Sequence, residues 1–187
     1  DAAHANYFAD TVDHWAAKYA TYLHDAGVSF GTGGENGVFY YSPDRSITRA
    51  EFFALVARWL NLDMAQWSTV ELPFADADAI PDWALAEIRA MYGMGILSGS
   101  DNGNGLYVNP NANITRAEAM TILGRTLAKG YALPELTAAD ASQVPDWALS
   151  YVQTLVGQGV VSGYNGNLNP NASITRGEVA ALLYNML

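Results

Sequence analysis

The sequence predicts an all-α fold built from three helix–loop–helix repeats. The first observation is a five-residue segment that recurs three times with nearly the same letters, at residues 47–51, 114–118 and 174–178. The second is that each copy opens an apolar run and follows a Trp and two Gly residues at fixed offsets. A recurrence of this length is typical of one structural unit used three times, so any site within the unit should also recur.

The repeats are predicted to extend over residues 1–60, 73–127 and 138–187. The two connecting segments are short and mixed in composition, which favours ordered links over flexible tethers. A unit of roughly 60 residues buries too little surface to be stable alone, so we expect the three repeats to pack as one unit. Hydrophobic residues make up 50% of the 187 positions, enough for a shared core, but no apolar run is long enough to span a bilayer.

The first helix of each repeat is predicted to begin near its Trp. In the second and third repeats the sequence Pro-Asp-Trp, at 81–83 and 145–147, indicates a helix start because Pro and Asp both suit a first turn. Apolar residues then follow at helical spacing. The glycines Gly27, Gly95 and Gly159 stand where a C-terminal cap needs a left-handed backbone. The Gly- and Asn-rich segments that follow are predicted to be irregular loops.

The second helix of each repeat is predicted to begin at Thr48, Thr115 or Thr175. Thr-x-x-Glu is a capping box, in which the Thr hydroxyl accepts the third backbone N–H and the Glu reaches back to the Thr N–H. The three following apolar faces match one another in position. Three equivalent apolar helices in one chain indicate a shared central bundle.

Composition excludes several classes of function. The net charge is -10, with only nine Lys and Arg, so we expect no nucleic acid partner and no insertion into an anionic membrane. The chain has no Cys, which rules out a disulfide framework, a thiolate metal site and a Cys nucleophile. A cluster at Asp76, Asp78 and Asp82 could suggest catalytic carboxylates, but acids beside a helix start are far more often caps. We therefore predict no enzyme activity, no metal and no cofactor.

Because the chain starts at Asp1, we expect a mature or trimmed form.

The Arg inside each capping box is the most informative candidate for a site. These capping-box arginines are Arg49, Arg116 and Arg176. A helix N-terminus disfavours a cation by about 0.3–1 kcal/mol, so a recurring Arg there predicts contact with an anion. Arg grips a planar carboxylate through two parallel hydrogen bonds. The alternative is a salt bridge to an acid of a neighbouring repeat, such as one of the repeat-start aspartates Asp10, Asp76 and Asp140.

Two further sets of recurring residues have double interpretations. The helix-start tryptophans are Trp15, Trp83 and Trp147. Each is either a core side chain or a platform for the apolar face of a sugar ring. The loop-turn glycines are Gly31, Gly99 and Gly163. Each either serves a turn or lets a ligand approach the backbone closely.

Taken together, the pattern resembles the S-layer homology domain in its tandem of three. The resemblance covers nearly the whole chain. It rests on Phe-Ala-Asp at 8–10 and 74–76, the Trp helix, the Gly-x-Leu/Val-Ser-Gly turn at 95–99 and 159–163, the Asn-Pro loop and Ile-Thr-Arg-x-Glu. Each piece alone is weak, but their combination repeated three times is highly specific.

The resemblance implies a noncatalytic anchor, with three repeats in a pseudo-threefold arrangement around a central three-helix bundle. Such triplets hold extracellular proteins on the bacterial cell wall by binding secondary cell wall polymer, often a glycan with pyruvate ketals. The ligand lies in grooves between repeats with the capping-box arginine as a main contact, and a ketal carboxylate on a sugar matches Arg plus Trp. The ligand-binding set is then predicted to be Arg49, Arg116, Arg176, Trp15, Trp83, Trp147, Gly31, Gly99, Gly163, Asp10, Asp76 and Asp140. The alternative is a protein-interaction module, or surface-layer self-assembly with surface-layer protein partners, in which the arginines only join repeats.

The repeats depart from one another in ways that bear on the grooves. The first has a longer loop through residues 33–35, and the third has Ala139-Asp140 without the preceding Phe. The third also has Thr-Arg-Gly-Glu in place of Thr-Arg-Ala-Glu, and Leu168 at the aromatic position of the loop. We therefore do not expect the three grooves to be used equally.

Overall fold

A computed structural model describes residues 7–127, 129–163 and 165–187 of the chain. Six α-helices lie in these described ranges, two in each repeat, and the fold is mostly helical. The helices are α1 (Ala17–Asp25), α2 (Arg49–Trp59), α3 (Asp82–Gly93), α4 (Arg116–Arg125), α5 (Asp146–Gly157) and α6 (Arg176–Asn185). Short 3-10 helices occupy Ala9–Thr11, Met64–Trp67, Ala77–Ala79 and Ala141–Gln143. None of the described helices is both long and apolar enough to cross a membrane.

The second helix of every repeat begins at a complete capping box, as predicted. In α4 the Thr115 hydroxyl accepts the Glu118 backbone N–H at 3.2 Å, and the Glu118 carboxylate accepts the Thr115 N–H at 3.2 Å. The same two bonds start α2 and α6. The local sequence therefore fixes where each second helix begins.

The first helix of every repeat ends at the predicted glycine. In α3 the Gly95 N–H donates to the Tyr92 carbonyl at 2.9 Å and the Ile96 N–H donates to the Met91 carbonyl at 3.0 Å. Gly95 has a φ of +76°, and this pair of bonds around a left-handed residue is the Schellman motif. The same bonds end α1 and α5.

Two small antiparallel sheets correct the all-α prediction. Strands β1 (Gly33–Glu35) and β2 (Val38–Tyr40) pair with Gly34 opposite Phe39, and β3 (Ser100–Asp101) pairs with β4 (Leu106–Tyr107). The β1–β2 connection is Asn36-Gly37, with φ of 54° and 80°. Positive φ at both central residues closes a tight hairpin, which explains why this Gly-rich loop is not irregular.

A ring of backbone hydrogen bonds joins the three repeats just before their second helices. The Ile47 N–H donates to the Ile174 carbonyl, the Ile174 N–H to the Ile114 carbonyl, and the Ile114 N–H to the Ile47 carbonyl, each at 3.1 Å. All three Ile side chains are fully buried. The first and last repeats are therefore joined as directly as sequential repeats are.

Helix packing follows the same order around the chain. The main helix pairs are α2 with α3, α4 with α5, and α6 with α1, so each second helix packs on the first helix of the next repeat. The buried apolar residues of all three repeats form one hydrophobic cluster. This pairing places the end of one repeat beside the start of another, and it is there that the candidate site residues meet.

Candidate functional site

The capping-box arginines cross from one repeat to the next. They are only 6%, 8% and 7% exposed, in chain order. Arg49 Nε donates to the Val108 carbonyl at 2.7 Å, and Arg116 Nε donates to the Leu168 carbonyl at 2.7 Å. Arg176 Nε makes the equivalent bond from the third repeat to the first by donating to the Tyr41 carbonyl at 2.8 Å. Each guanidinium is thus held against the loop of a neighbouring repeat.

The ionic partner of each arginine is the Glu of the next capping box. The capping-box glutamates are Glu51, Glu118 and Glu178. Arg176 Nη1 lies 3.2 Å from a Glu51 carboxylate oxygen. The equivalent pairs are Arg49 with Glu118 and Arg116 with Glu178. These glutamates were predicted only as caps, yet each caps its own helix with one oxygen and binds the arginine with the other.

Burial and the surrounding acidic groups shift the pKa of Arg49 and Arg176 in opposite directions. It lowers the pKa of Arg49, and the nearby negative charge of Asp76 opposes that shift. Burial likewise lowers the pKa of Arg176, and Tyr41, Glu51 and Asp10 oppose it. A buried guanidinium needs such partners because desolvation of an unpaired charge is costly.

The repeat-start aspartates bind backbone rather than the arginines directly. Asp76 accepts the Val108 N–H at 2.9 Å and the Asn109 N–H at 2.8 Å. Asp10 and Asp140 make the same pairs of bonds in their own repeats. The residue held by each aspartate through its N–H is the one whose carbonyl accepts the arginine. The arginines do form salt bridges with acids of a neighbouring repeat, but these acids are the capping-box glutamates and not the aspartates named as candidates.

The first N–H groups of the second helices are also occupied by protein. In α4 the Arg116 N–H donates to the Ala172 carbonyl at 2.9 Å and the Ala117 N–H donates to the Pro170 carbonyl at 2.8 Å. The N-termini of α2 and α6 are closed in the same way by carbonyls of a neighbouring repeat. An anion at this site would therefore meet the arginine side chain rather than open helix N–H groups. The contacts of the three guanidiniums with carbonyls and carboxylates run through Nε and Nη1.

The helix-start tryptophans are surface residues. Trp15, Trp83 and Trp147 are 56%, 51% and 55% exposed. Their exposure rules out the interpretation as core side chains. A half-exposed indole presents a large apolar face to solvent at the start of each first helix.

The structure brings these residues together in three grooves. Each groove combines a loop turn and second helix from one repeat, the tryptophan of the next repeat and the capping-box arginine of the remaining repeat. The first groove contains Gly31, Glu51, Trp83 and Arg176; the second contains Gly99, Glu118, Trp147 and Arg49; the third contains Gly163, Glu178, Trp15 and Arg116. Their volumes are about 320, 510 and 520 Å³, the size of a small-ligand site.

The structure divides the predicted ligand-binding residues into those that line the grooves and those that do not. Arginines, tryptophans and loop-turn glycines line the grooves, whereas the repeat-start aspartates lie behind them and position the loops. Sequence reasoning missed the second-helix residues that form the groove walls, such as Leu55, Ile122 and Leu182. Their equal offset from the three Thr residues is the signal in the sequence, and it predicts a buried helix face equally well.

The loop-turn glycines are needed for the turns themselves. Gly99 has a φ of +77°, and a Cβ built there would stand 2.5 Å from a ring carbon of Phe74. A side chain would therefore be strained by both backbone conformation and close packing. Among the described residues no group of His, Cys, Asp and Glu is arranged to hold a metal ion.

Comparison with known sequences decides the family. The family model described as the S-layer homology domain matches residues 7–53, 73–120 and 139–180. The chain belongs to the S-layer homology domain family. Each matched segment lies within one of the repeats predicted above, and the match places the chain at the bacterial cell surface or cell wall. S-layer homology domains are surface-anchoring modules.

The relatives that the chain matches are much longer proteins. The Surface-layer 125 kDa protein of Lysinibacillus sphaericus is 34% identical over 97% of this chain, and an Amylopullulanase of Thermoanaerobacterium thermosulfurigenes is 31% identical over 96%. A Cellulosome-anchoring protein of Acetivibrio thermocellus is 30% identical over 76% of this chain. The chain spans 15%, 9% and 32% of these three relatives, respectively.

Proposed function

We propose that this S-layer homology triplet anchors its host protein to the cell wall by binding a secondary cell wall polymer. The ligand proposed is an anionic glycan, with pyruvate ketals as the source of charge, bound in the grooves between repeats. The observation that carries this proposal is the same pairing in all three grooves: a half-exposed tryptophan and a buried arginine.

The chemistry of each groove suits a charged sugar. An indole face offers apolar area to the C–H face of a pyranose ring. The arginine Nη2 offers a charge-assisted donor to a carboxylate. The adjacent capping-box glutamate already occupies Nη1, so the ligand carboxylate is bound by one end of the guanidinium rather than by the full fork.

We further infer a pseudo-threefold arrangement of the repeats around the second helices. The ring through Ile47, Ile114 and Ile174 supports it, since every member donates one bond and accepts one at the same distance. The matched arginine–glutamate pairs support it in the same way. Under this arrangement the three grooves are equivalent in position and differ only in their side chains.

A second candidate is a protein-interaction or surface-layer self-assembly module without glycan binding. The observation that favours it is the burial of the arginines in junctions between repeats, which gives them a structural role without any ligand. Surface-layer proteins would then be the partners. The name of the Lysinibacillus sphaericus relative agrees with this candidate, and that of the Acetivibrio thermocellus relative agrees with anchoring.

Sedimentation with purified cell walls separates the two candidates. The chain should sediment with intact walls, fail to sediment after the secondary polymer is extracted, and lose affinity after mild acid removes the ketals. Trp147→Ala should weaken binding by about threefold to tenfold, as expected for one lost aromatic contact. Tyr131→Ala is the matched control, because Tyr131 is 40% exposed and lines none of the three grooves. Unchanged sedimentation with extracted walls would contradict glycan binding and favour assembly through protein contacts.

A further inference from the structure

The three grooves differ in charge although they share the same plan. In the first groove three arginines, Arg45, Arg58 and Arg176, lie with one glutamate. In the second groove two arginines, Arg49 and Arg125, lie with one glutamate. In the third groove Arg116 lies with two carboxylates, those of Glu178 and Asp44. The balance of charge therefore changes from positive to negative around the molecule.

One source of this difference is a position at the end of the second helices. Arg58, Arg125 and Asn185 occupy equal offsets from their capping-box Thr. Arg58 lies 3.5 Å from Glu87, which partly neutralises it. Arg125 donates to the Ile96 carbonyl at 3.1 Å and lies over the Tyr151 ring, with no acidic partner in the described ranges. The third groove has the neutral Asn185 there instead.

The second source is the loop before each capping box. Asp44 lines the third groove, and the equivalent residues of the other repeats are the neutral Asn111 and Asn171. The Asp44 side chain is 81% exposed, and its partner is His14 at 2.9 Å. The adjacent Arg45 lines the first groove, where it pairs with Glu51. Its equivalents in the other repeats are alanines.

The difference in charge between the grooves should change how strongly each one binds a ligand carboxylate. Among the residues that line the third groove, a carboxylate would meet two like charges and one arginine, whereas in the second groove it would meet Arg125 as well as Arg49. Lys18 lies outside that lining, over the Tyr19 ring at 5.2 Å from its centroid. Loss of one charged hydrogen-bond partner lowers affinity by about one to two decades. Apolar contact remains available in the third groove, because Tyr19 adds a second aromatic ring beside Trp15.

We propose that the anionic sugar binds in the first and second grooves, and that the third groove rejects the carboxylate and accepts an uncharged sugar unit. This inference rests on the proposed function, since it assigns the charged ligand among the same grooves. The residues that determine the specificity are Arg45, Arg125, Asp44 and Asn185.

Each groove carries its own spectroscopic reporter. The indole N–H signals of Trp83, Trp147 and Trp15 in a ¹⁵N-labelled sample report on the first, second and third grooves, and Trp→Phe variants assign them. The probes are the methyl glycoside of a 4,6-pyruvylated hexose and its methyl ester, which has nearly the same shape without the charge. The acid should shift the Trp83 and Trp147 signals at concentrations at least about tenfold lower than those that shift Trp15. The ester should shift all three signals within about threefold of one another.

Two variants test the assignment of residues. Asp44→Asn combined with Asn185→Arg should bring the Trp15 response to the acid within about threefold of the Trp147 response. Arg125→Gln should weaken the Trp147 response to the acid by about tenfold and leave its response to the ester unchanged. Arg89→Gln is the control for total charge, because Arg89 lines none of the three grooves.

The outcomes separate this inference from the proposed function. A Trp15 signal that responds to the acid as strongly as the other two would overturn the inference while leaving glycan binding intact. An acid response that the charge variants do not change would overturn the roles given to Asp44, Asn185 and Arg125. If neither probe moves any indole signal, the proposed function fails, and the inference fails with it.

Discussion

Arg49 of the first repeat and Glu118 of the second form an ion pair in which the glutamate also caps its own helix. One carboxylate oxygen accepts the Thr115 N–H and the other meets the guanidinium. Helix initiation in one repeat is thereby coupled to its contact with the repeat before. The same coupling recurs between Arg116 and Glu178 and between Arg176 and Glu51.

Arg49→Ala should lower stability as well as ligand affinity. The substitution removes the hydrogen bond to the Val108 carbonyl and leaves Glu118 without its partner, at a cost of roughly 1.5–3 kcal/mol. Urea denaturation of the two proteins measures the difference. Arg58→Ala is the control, since the Arg58 side chain is 42% exposed and loss of its pair with Glu87 should cost about 0.2–1 kcal/mol. Equal losses in both variants would contradict the role of Arg49 as a junction residue.

Removal of the third repeat should destabilise the first. A chain ending at residue 127 lacks the Ile174 carbonyl that accepts the Ile47 N–H and the Arg176 side chain that binds Glu51. We expect the circular dichroism melt of this fragment to lose its cooperative transition. A sharp transition near that of the full chain would show that the first two repeats are stable without ring closure.

Gly99→Ala should destabilise the protein more than Gly103→Ala. Both glycines have positive φ, +77° and +89°, so each alanine should cost about 1–2 kcal/mol in backbone strain. Only at Gly99 does a Cβ also meet the Phe74 ring, whereas at Gly103 it meets nothing within 4 Å. The difference between the two melting temperatures isolates the packing contribution. Identical melting temperatures would mean that Phe74 moves aside without cost.

Asp140→Asn should reduce stability at neutral pH but not in acid. The Leu168 N–H holds the pKa of the Asp140 carboxyl below its ordinary value of 3.8, and the Asn169 N–H adds to this effect. A lowered pKa in the folded state stabilises the fold above pH 3.8, and this contribution disappears as the pH falls through the folded pKa. The gap in unfolding free energy between parent and variant should therefore narrow below about pH 4. A gap that stays constant from pH 7 to pH 3 would contradict the charged role of Asp140.

Local structure was predictable because its causes are local. The capping boxes at Thr48, Thr115 and Thr175 and the terminating glycines fix helix ends through contacts within a few residues. The hairpin at Asn36-Gly37 also has a local cause, because Asn-Gly favours a tight turn, and the prediction of an irregular loop there is wrong. Element type and boundaries therefore followed from short stretches of sequence.

The partners across the junctions were not predictable from the sequence alone. Arg49 could have met any acid, because the spacing of residues does not say which repeat lies beside which. Glu118 was already explained by its cap, so its second contact left no separate signal. The exposure of Trp147 likewise depends on the neighbouring repeat, since an aromatic at a helix start is more often buried.

The hydrogen-bonded ring at Ile47, Ile114 and Ile174 has room for three repeats. The N–H of each isoleucine donates one hydrogen bond and its carbonyl accepts one. The ring therefore closes with three members, and none of its N–H groups is left unpaired. A fourth copy appended to the chain would find no partner there and would have to open an existing bond to enter. A fourth repeat that left this ring intact would therefore have to attach to the others through different contacts.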